Sequence, residues 1–128
     1  MTEWKTIAPW KPDWRPSVPG ERPPVDDSRP RLSDADAAAV AAYLDVGQFV
    51  MRTTKLHPDP LSDSDTPVVP SSLLTDGEWI LNDSLTYFVK TYHIAPREEF
   101  LAYLRARQFQ PRDPAHIDVA GALAFIRR

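Results

Sequence analysis

Leu74-Thr75-Asp76-Gly77-Glu78-Trp79-Ile80-Leu81-Asn82-Asp83 is the stretch with the clearest structural signal in the chain. An Asp-Gly pair between two apolar runs is a strong local signal for a β-hairpin, because both residues tolerate the left-handed backbone of a tight turn. The stretch therefore predicts a two-residue hairpin at Asp76-Gly77 that leads into a strand over residues 78–81. Trp79 is predicted to lie in the core or on a sheet face.

Two strands are predicted on the N-terminal side of the Asp76-Gly77 turn. Residues 48–54 are rich in the apolar and β-branched residues that favour strands. A second strand is predicted over residues 68–75, where Pro67 and Pro70 indicate an edge or bulged strand because proline cannot donate to a ladder. Together with the hairpin, these segments predict a three-stranded antiparallel meander.

Helix signals flank this sheet. Ser33 begins a capping pattern with acids at Asp34 and Asp36, and an alanine-rich apolar stripe follows as far as Gly47. A second helix is predicted to begin at Asn82 or Asp83, a third at Pro96, and a last one at Asp113-Pro114. The expected fold class is α+β, a three-stranded antiparallel meander packed against about four helices.

The first thirty residues differ in composition from the rest. Seven of the 14 prolines lie between Pro9 and Pro30, which disfavours a helix or a central strand. A disordered tail is usually poor in aromatics, yet this segment holds Trp4, Trp10 and Trp14. We expect residues 1–30 to form an extended Pro/Trp-rich arm that docks either on the body of the protein or on a partner, and residues 31–128 to form a single α+β domain.

Composition limits the class of protein. With 128 residues, 42% of them apolar and 26% charged, the chain has the size and balance of one globular domain. The absence of cysteine excludes disulfides, thiolate metal sites and a cysteine nucleophile. The chain has no apolar run of about 18 residues and its first residues lack the layout of a signal peptide, so we expect a cytoplasmic protein without a membrane association. A net charge of −3 argues against a general nucleic-acid binder.

Motifs for catalysis or cofactor binding are missing from the sequence. His57, His93 and His116 do not stand at metal-ligand spacing, and neither a nucleophile elbow nor a glycine-rich phosphate loop occurs. No catalytic, cofactor-binding or metal-binding residue is therefore predicted, and no cofactor. A small acid–base enzyme remains an alternative, because carboxylates near the hairpin could meet in space.

Acidic residues are concentrated in the middle of the chain. Residues 33–66 hold six aspartates against only Arg52 and Lys55, a distribution that favours electrostatic steering toward a basic partner. The predicted partner-binding residues are Asp59, Asp63, Asp65, Asp76 and Glu78. The C-terminal part is richer in arginine, but arginines near helix C-termini are more simply explained by the helix dipole than by binding to DNA.

Three segments of the chain resemble segments of other proteins. They are the stretch from Leu74 to Asp83, the aromatic run Leu85-Thr86-Tyr87-Phe88-Val89 and the helix through Phe100-Leu101-Ala102-Tyr103-Leu104-Arg105-Ala106-Arg107. Over residues 33–110 the chain resembles a group of small actinobacterial proteins associated with immunity to polymorphic toxins, which share a strand of the form TDGxW(I/V)W. Leu81 stands where that pattern has its second tryptophan. The resemblance implies a non-catalytic protein that neutralises a cognate toxin by stoichiometric binding, and it assigns no functional residue. The alternative is an adaptor that binds its partner through the Trp/Pro arm; the oligomeric state stays open.

Overall fold

The computed structural model describes residues 3–21 and 23–128; residues 1, 2 and 22 of the predicted arm lie outside the described part. The described chain is α+β and contains four α-helices and six strands. The helices are α1 (Asp34–Asp45), α2 (Ser84–Tyr92), α3 (Glu98–Ala106) and α4 (Val119–Ile126). The strands are β1 (Lys5–Ile7), β2 (Gln48–Met51), β3 (His57–Pro58), β4 (Pro67–Val69), β5 (Leu73–Thr75) and β6 (Trp79–Asn82).

The main sheet has four strands in the order β1-β6-β5-β2. Strands β2, β5 and β6 pair antiparallel, and β1 adds a parallel strand beside β6, so the sheet is mixed and larger than the predicted three-stranded meander. The segment predicted as one strand over 68–75 is divided in two. β4 pairs with β3 in a separate ribbon and β5 joins the main sheet. Pro70 lies between them, and its missing N–H explains why one ladder does not continue through it.

Lys5–Ile7, inside the predicted arm, forms β1 of the main sheet. Its residues pair in register with β6, where Ile7 stands opposite Leu81, and the Ile7 side chain is buried in the main core cluster. A free-standing extended arm is thus not confirmed for this part of the chain. Residues 8–21 and 23–30 lack helix and strand, and Trp4, Trp10 and Trp14 are each half-buried.

The first helix begins where the sequence predicts, and the last helix does not. The Ser33 hydroxyl accepts a hydrogen bond of 3.1 Å from the Asp36 N–H, which confirms the predicted cap of α1. The helix predicted from Asp113-Pro114 is wrong in its start. Asp113 caps only a short 3-10 helix over Pro114–His116, and α4 begins after a second cap at Asp118.

The core lies between one face of the sheet and the first three helices. Trp79 is only 1% exposed, as expected from the sequence, and its indole meets the Phe100 ring edge to face at 5.0 Å between centroids. Phe100 and Leu104 of α3 and Val40 of α1 are fully buried on this face. α4 contacts β2, and its end borders the opposite face of the sheet.

We expect Ile7→Ala to lower the free energy of unfolding by about 2–5 kcal/mol, because it removes buried methyl groups from the core. Urea denaturation measures the change. Val18→Ala, at a side chain that is 57% exposed, is the matched control and should stay within about 0.5 kcal/mol of the parent. Equal, negligible effects of both substitutions would show that β1 is not part of the folded core.

Candidate protein-binding surface

Exposed apolar side chains are concentrated in one part of the chain, residues 46–68. Among the described residues, six of the seven large hydrophobic side chains that are exposed lie there: Val46, Phe49, Met51, Leu56, Leu61 and Val68. This 46–68 segment contains the edge strand β2, the ribbon strand β3 and the loop that leads into β4. Their concentration in one stretch makes this segment the candidate for a surface that another molecule covers.

Phe49 is the largest of these side chains. It is 44% exposed on the edge strand, and the Arg52 guanidinium lies over its ring at 4.4 Å from the centroid. Phe49 pairs with Leu74 of β5, whose side chain is buried, so the backbone beneath the exposed ring is fixed by the sheet. The aromatic group is therefore presented from a paired edge strand, just before an irregularity in the pairing between Phe49 and Met51.

Asp59 anchors the loop of the 46–68 segment to α2. Its carboxylate Oδ2 accepts hydrogen bonds from the Tyr87 hydroxyl at 2.8 Å and the Tyr92 hydroxyl at 2.5 Å, and Oδ1 accepts from the Leu61 N–H at 2.8 Å. The Asp59 side chain is only 3% exposed, so it does not form part of the accessible acidic surface predicted from the sequence.

These hydrogen bonds perturb the titration of the cluster. Burial raises the pKa of Asp59, but the hydrogen bonds from Tyr92, the Leu61 N–H and Tyr87 outweigh it and hold that pKa below its usual value. The hydrogen bond to Asp59 in turn raises the pKa of Tyr92 to about 12. The carboxylate is charged and both hydroxyls stay protonated near neutral pH, which keeps the anchor formed.

Asp63 and Asp65 differ from Asp59 in having exposed side chains. They lie in the same loop, within the run 60–68 in which every residue is exposed. Of the predicted partner-binding residues, these two lie on the accessible surface, within the 46–68 segment.

Asp76, also predicted to bind a partner, is buried at 4% exposure beneath the hairpin turn. Its Oδ2 accepts from the Tyr43 hydroxyl of α1 at 2.5 Å and the Tyr103 hydroxyl of α3 at 2.7 Å. Its Oδ1 accepts from the N–H groups of Glu78 at 2.9 Å and Trp79 at 2.8 Å. A carboxylate has about four acceptor positions, and here protein donors occupy all of them, so Asp76 is neither a partner contact nor a free general base.

The Asp76 N–H donates to the Trp79 carbonyl at 3.3 Å, so the turn has two residues, but they are Gly77 and Glu78 and not the predicted Asp76 and Gly77. Gly77 adopts φ of 104°, and a Cβ there would come within 3.0 Å of the Arg112 side chain. Glu78 forms an ion pair of 3.4 Å with Arg112, whose guanidinium also donates to the Tyr103 hydroxyl at 3.0 Å. Glu78 is therefore partly occupied by an internal partner.

The four tyrosine donors, Tyr43, Tyr87, Tyr92 and Tyr103, were not predicted from the sequence. A tyrosine on the apolar side of a helix must find a partner for its hydroxyl, and this requirement is the signal that could have located them. For Tyr43, burial and the hydrogen bond to the Asp76 carboxylate raise the pKa far above its ordinary value, so its hydroxyl remains a donor.

Within residues 3–21 and 23–128, no cluster of three or more acidic, histidine or cysteine side chains could hold a metal ion. Over the same part of the chain, no helix has the length and apolar character that a membrane span requires. Comparisons of the chain with protein-family models, with curated proteins and with solved structures gave no match.

We expect Tyr43→Phe to lower the free energy of unfolding by about 1–3 kcal/mol, because the buried Asp76 carboxylate loses a charge-assisted hydrogen bond. Chemical denaturation of the parent and the variant measures it. Tyr87→Phe removes a similar hydroxyl at a more exposed site and should cost less. An unchanged stability of Tyr43→Phe would contradict the role of this hydrogen bond.

The anchor at Asp59 should make stability depend on pH in a defined direction. Since its pKa is lowered in the folded state, the stabilisation is fully present above the unfolded value of about 3.9 and is lost as pH falls through the folded pKa. We therefore expect Asp59→Asn to be less stable than the parent at pH 7, with a difference that shrinks below about pH 4. Thermal unfolding from pH 3 to pH 7 measures the difference, and the exposed Asp63→Asn is the control. A difference that is constant across this range would contradict the assignment.

Proposed function

We propose that this protein is a non-catalytic, cytoplasmic immunity-type protein that neutralises a cognate bacterial toxin by stoichiometric binding. The observation that carries the proposal is the 46–68 segment, which holds nearly all the exposed large apolar side chains of the described chain. The resemblance of residues 33–110 to immunity proteins supplies the biological class.

The composition of the 46–68 segment suits a protein interface. Such interfaces combine an apolar centre with a polar rim, and aromatic side chains and methionine are enriched at the centre. Phe49 and Met51 supply groups of this kind, and Asp63 and Asp65 supply charge. Their side chains remain exposed in the free protein, so binding would remove apolar area from water.

Rigidity of the segment supports tight binding. Ordering a mobile loop on association costs free energy, and a loop that is held beforehand avoids that cost. The Asp59 anchor and the pairing of β3 with β4 hold the two ends of the loop 59–66 before any partner arrives. A preformed surface is what a fast, stoichiometric inhibitor requires.

The charge of the segment favours a basic partner. Asp63 and Asp65 remain available for steering, whereas Asp59 and Asp76 are used inside the protein and Glu78 pairs with Arg112. Arg105, the arginine of α3, does not favour nucleic acid as the partner, because it lies within 3.9 Å of both Asp36 and Glu98. The proposed interface is thus Phe49 and Met51 together with Asp63 and Asp65.

Binding by an adaptor through the N-terminal arm is the alternative. It requires accessible tryptophans in residues 1–30, and Trp4, Trp10 and Trp14 are half-buried. The arm is also held on the body of the protein by a hydrogen bond of 2.8 Å from the Arg29 guanidinium to the Pro96 carbonyl. These contacts favour the 46–68 segment over the arm as the binding surface.

The test is a pull-down from a lysate of the source organism with three baits: the parent, Phe49→Ser and Val18→Ser. We expect one partner to be retained by the parent and by Val18→Ser, and lost with Phe49→Ser, because only the first two keep the interface intact. That partner should be toxic when expressed alone and harmless when co-expressed with the parent. A partner that binds all three baits equally would contradict the placement of the interface, and a retained partner without toxicity would contradict the immunity role.

The kinetics of binding to that partner test the proposed role of Asp63 and Asp65 in electrostatic steering. We expect Asp63→Asn/Asp65→Asn to slow association at low salt by about threefold or more and to weaken its salt dependence. Dissociation should change little, since these charges lie at an exposed rim. Glu99→Gln, an exposed acid on α3, is the matched control. An on-rate unchanged by the double substitution would remove the two aspartates from the interface.

A further inference from the structure

The face of the main sheet opposite the core carries a groove of about 330 Å³. In the strand register, Thr6 pairs with Ile80 and Asn82 with Leu73, and the alternation along each strand turns these four side chains away from the core. The end of α4 forms the other wall with Phe125 and Ile126. A volume of this size falls in the range of small-molecule sites.

Asn82 places an unused hydrogen-bond donor in this groove. Its Oδ1 accepts from the Ser84 N–H at 3.0 Å and from the Ser84 hydroxyl at 2.5 Å. Because a backbone N–H can only donate, the oxygen of the amide is fixed on the Ser84 side and the amino group is turned away from it. The side chain is 8% exposed, and its Nδ2 donates to no described residue. The amino group is therefore available to an acceptor on a ligand that enters the groove.

Arg97 supplies the positive charge of the groove, where it is the one charged side chain among the lining residues. Its Nη2 donates to the Thr6 carbonyl at 2.7 Å, which leaves most of its N–H groups unused. Among the described residues no carboxylate lies within ion-pair distance of Arg97, whereas the adjacent Glu98 approaches Arg29 at 3.5 Å and Arg105 at 3.9 Å. No described carboxylate therefore neutralises Arg97, although its guanidinium also lies over the Trp79 ring, 6.0 Å from the ring centroid.

A second arginine adds to the positive electrostatic potential at the wall of the groove that α4 forms. The Arg128 guanidinium lies 5.2 Å from the centroid of the Phe125 ring, which lines the groove. An apolar groove with positive charge and a spare amide donor complements an anion with an apolar body. A guanidinium presents paired N–H groups that match the two oxygens of a carboxylate.

We propose that the groove binds a small carboxylate with an apolar or aromatic body. The carboxylate accepts hydrogen bonds from Arg97 and from the Asn82 amino group, and the body packs against Ile80, Phe125 and Ile126. This site is separate from the 46–68 segment and goes beyond the proposed immunity role. Its occupancy does not require the toxin, and the two activities can be tested independently.

Isothermal titration calorimetry with 4-phenylbutyrate and its uncharged amide, 4-phenylbutyramide, tests the proposal. We expect saturable binding of one carboxylate per chain and affinity for the amide weaker by about tenfold or more, because the amide lacks the charge that Arg97 recognises. Equal binding of both compounds, or no saturable binding of 4-phenylbutyrate, would overturn the proposal.

Substitutions locate the binding. Arg97→Met should weaken 4-phenylbutyrate by about tenfold or more, whereas Arg127→Met, which removes an exposed arginine at the end of α4, should change it less than about twofold. Asn82→Asp keeps the acceptor for Ser84 but replaces the amino donor by a repelling carboxylate, and should also weaken binding. Ile126→Trp, at a half-buried position, should fill the groove and abolish it.

The folded state of each variant is checked by circular dichroism and thermal unfolding, and only folded variants are compared. Phe49→Ser should bind 4-phenylbutyrate as the parent does, so failure of the toxin-binding proposal leaves this test intact. Unchanged affinity in folded Arg97→Met and Ile126→Trp would show that the carboxylate binds elsewhere and would overturn the site.

Discussion

The Asp76 carboxylate is the point at which three elements of the fold are joined. One of its oxygens closes the hairpin turn by accepting from the N–H groups of Glu78 and Trp79, and the other accepts from Tyr43 of α1 and Tyr103 of α3. A buried carboxylate is tolerated only when donors replace its lost hydration. The turn, the two helices and the buried Trp79 between them are consequently fixed relative to one another by a single side chain.

Asp59 forms a similar cluster of hydrogen bonds with fewer donors, and it has a different structural role. It also accepts two tyrosine hydroxyls and a backbone N–H, but it secures a loop whose residues 60–68 are exposed. The acidic residues of the chain therefore divide into two groups by environment. Asp59 and Asp76 hold the fold in place, while Asp63 and Asp65 are left on the surface, where charge can attract a partner.

The two faces of the sheet differ in how completely they are covered. Helices α1, α2 and α3 cover the first face, on which Trp79 and Leu81 are buried. On the second face α4 leaves a groove, and of the residues of α4 the side chain of Ala122 is the buried one. Because α4 is strongly apolar and only partly covered, the second face of the sheet is available for a ligand. The 46–68 segment at the sheet edge is available for a protein.

The α+β class, the Ser33 cap and the burial of Trp79 could be predicted from the sequence, because turn chemistry, capping and hydrophobic periodicity are local properties. The charge pattern also located the acidic loop. Three features could not be predicted without the folded structure: β1 joins the sheet beside β6, Pro70 separates two strands, and only some of the acids are accessible. Those outcomes depend on contacts between residues far apart in the chain, such as Tyr43 with Asp76 and Tyr92 with Asp59. An aspartate has the same local signature whether water or a tyrosine from a distant helix completes its hydrogen bonds, so its role is fixed by packing and not by its neighbours in sequence.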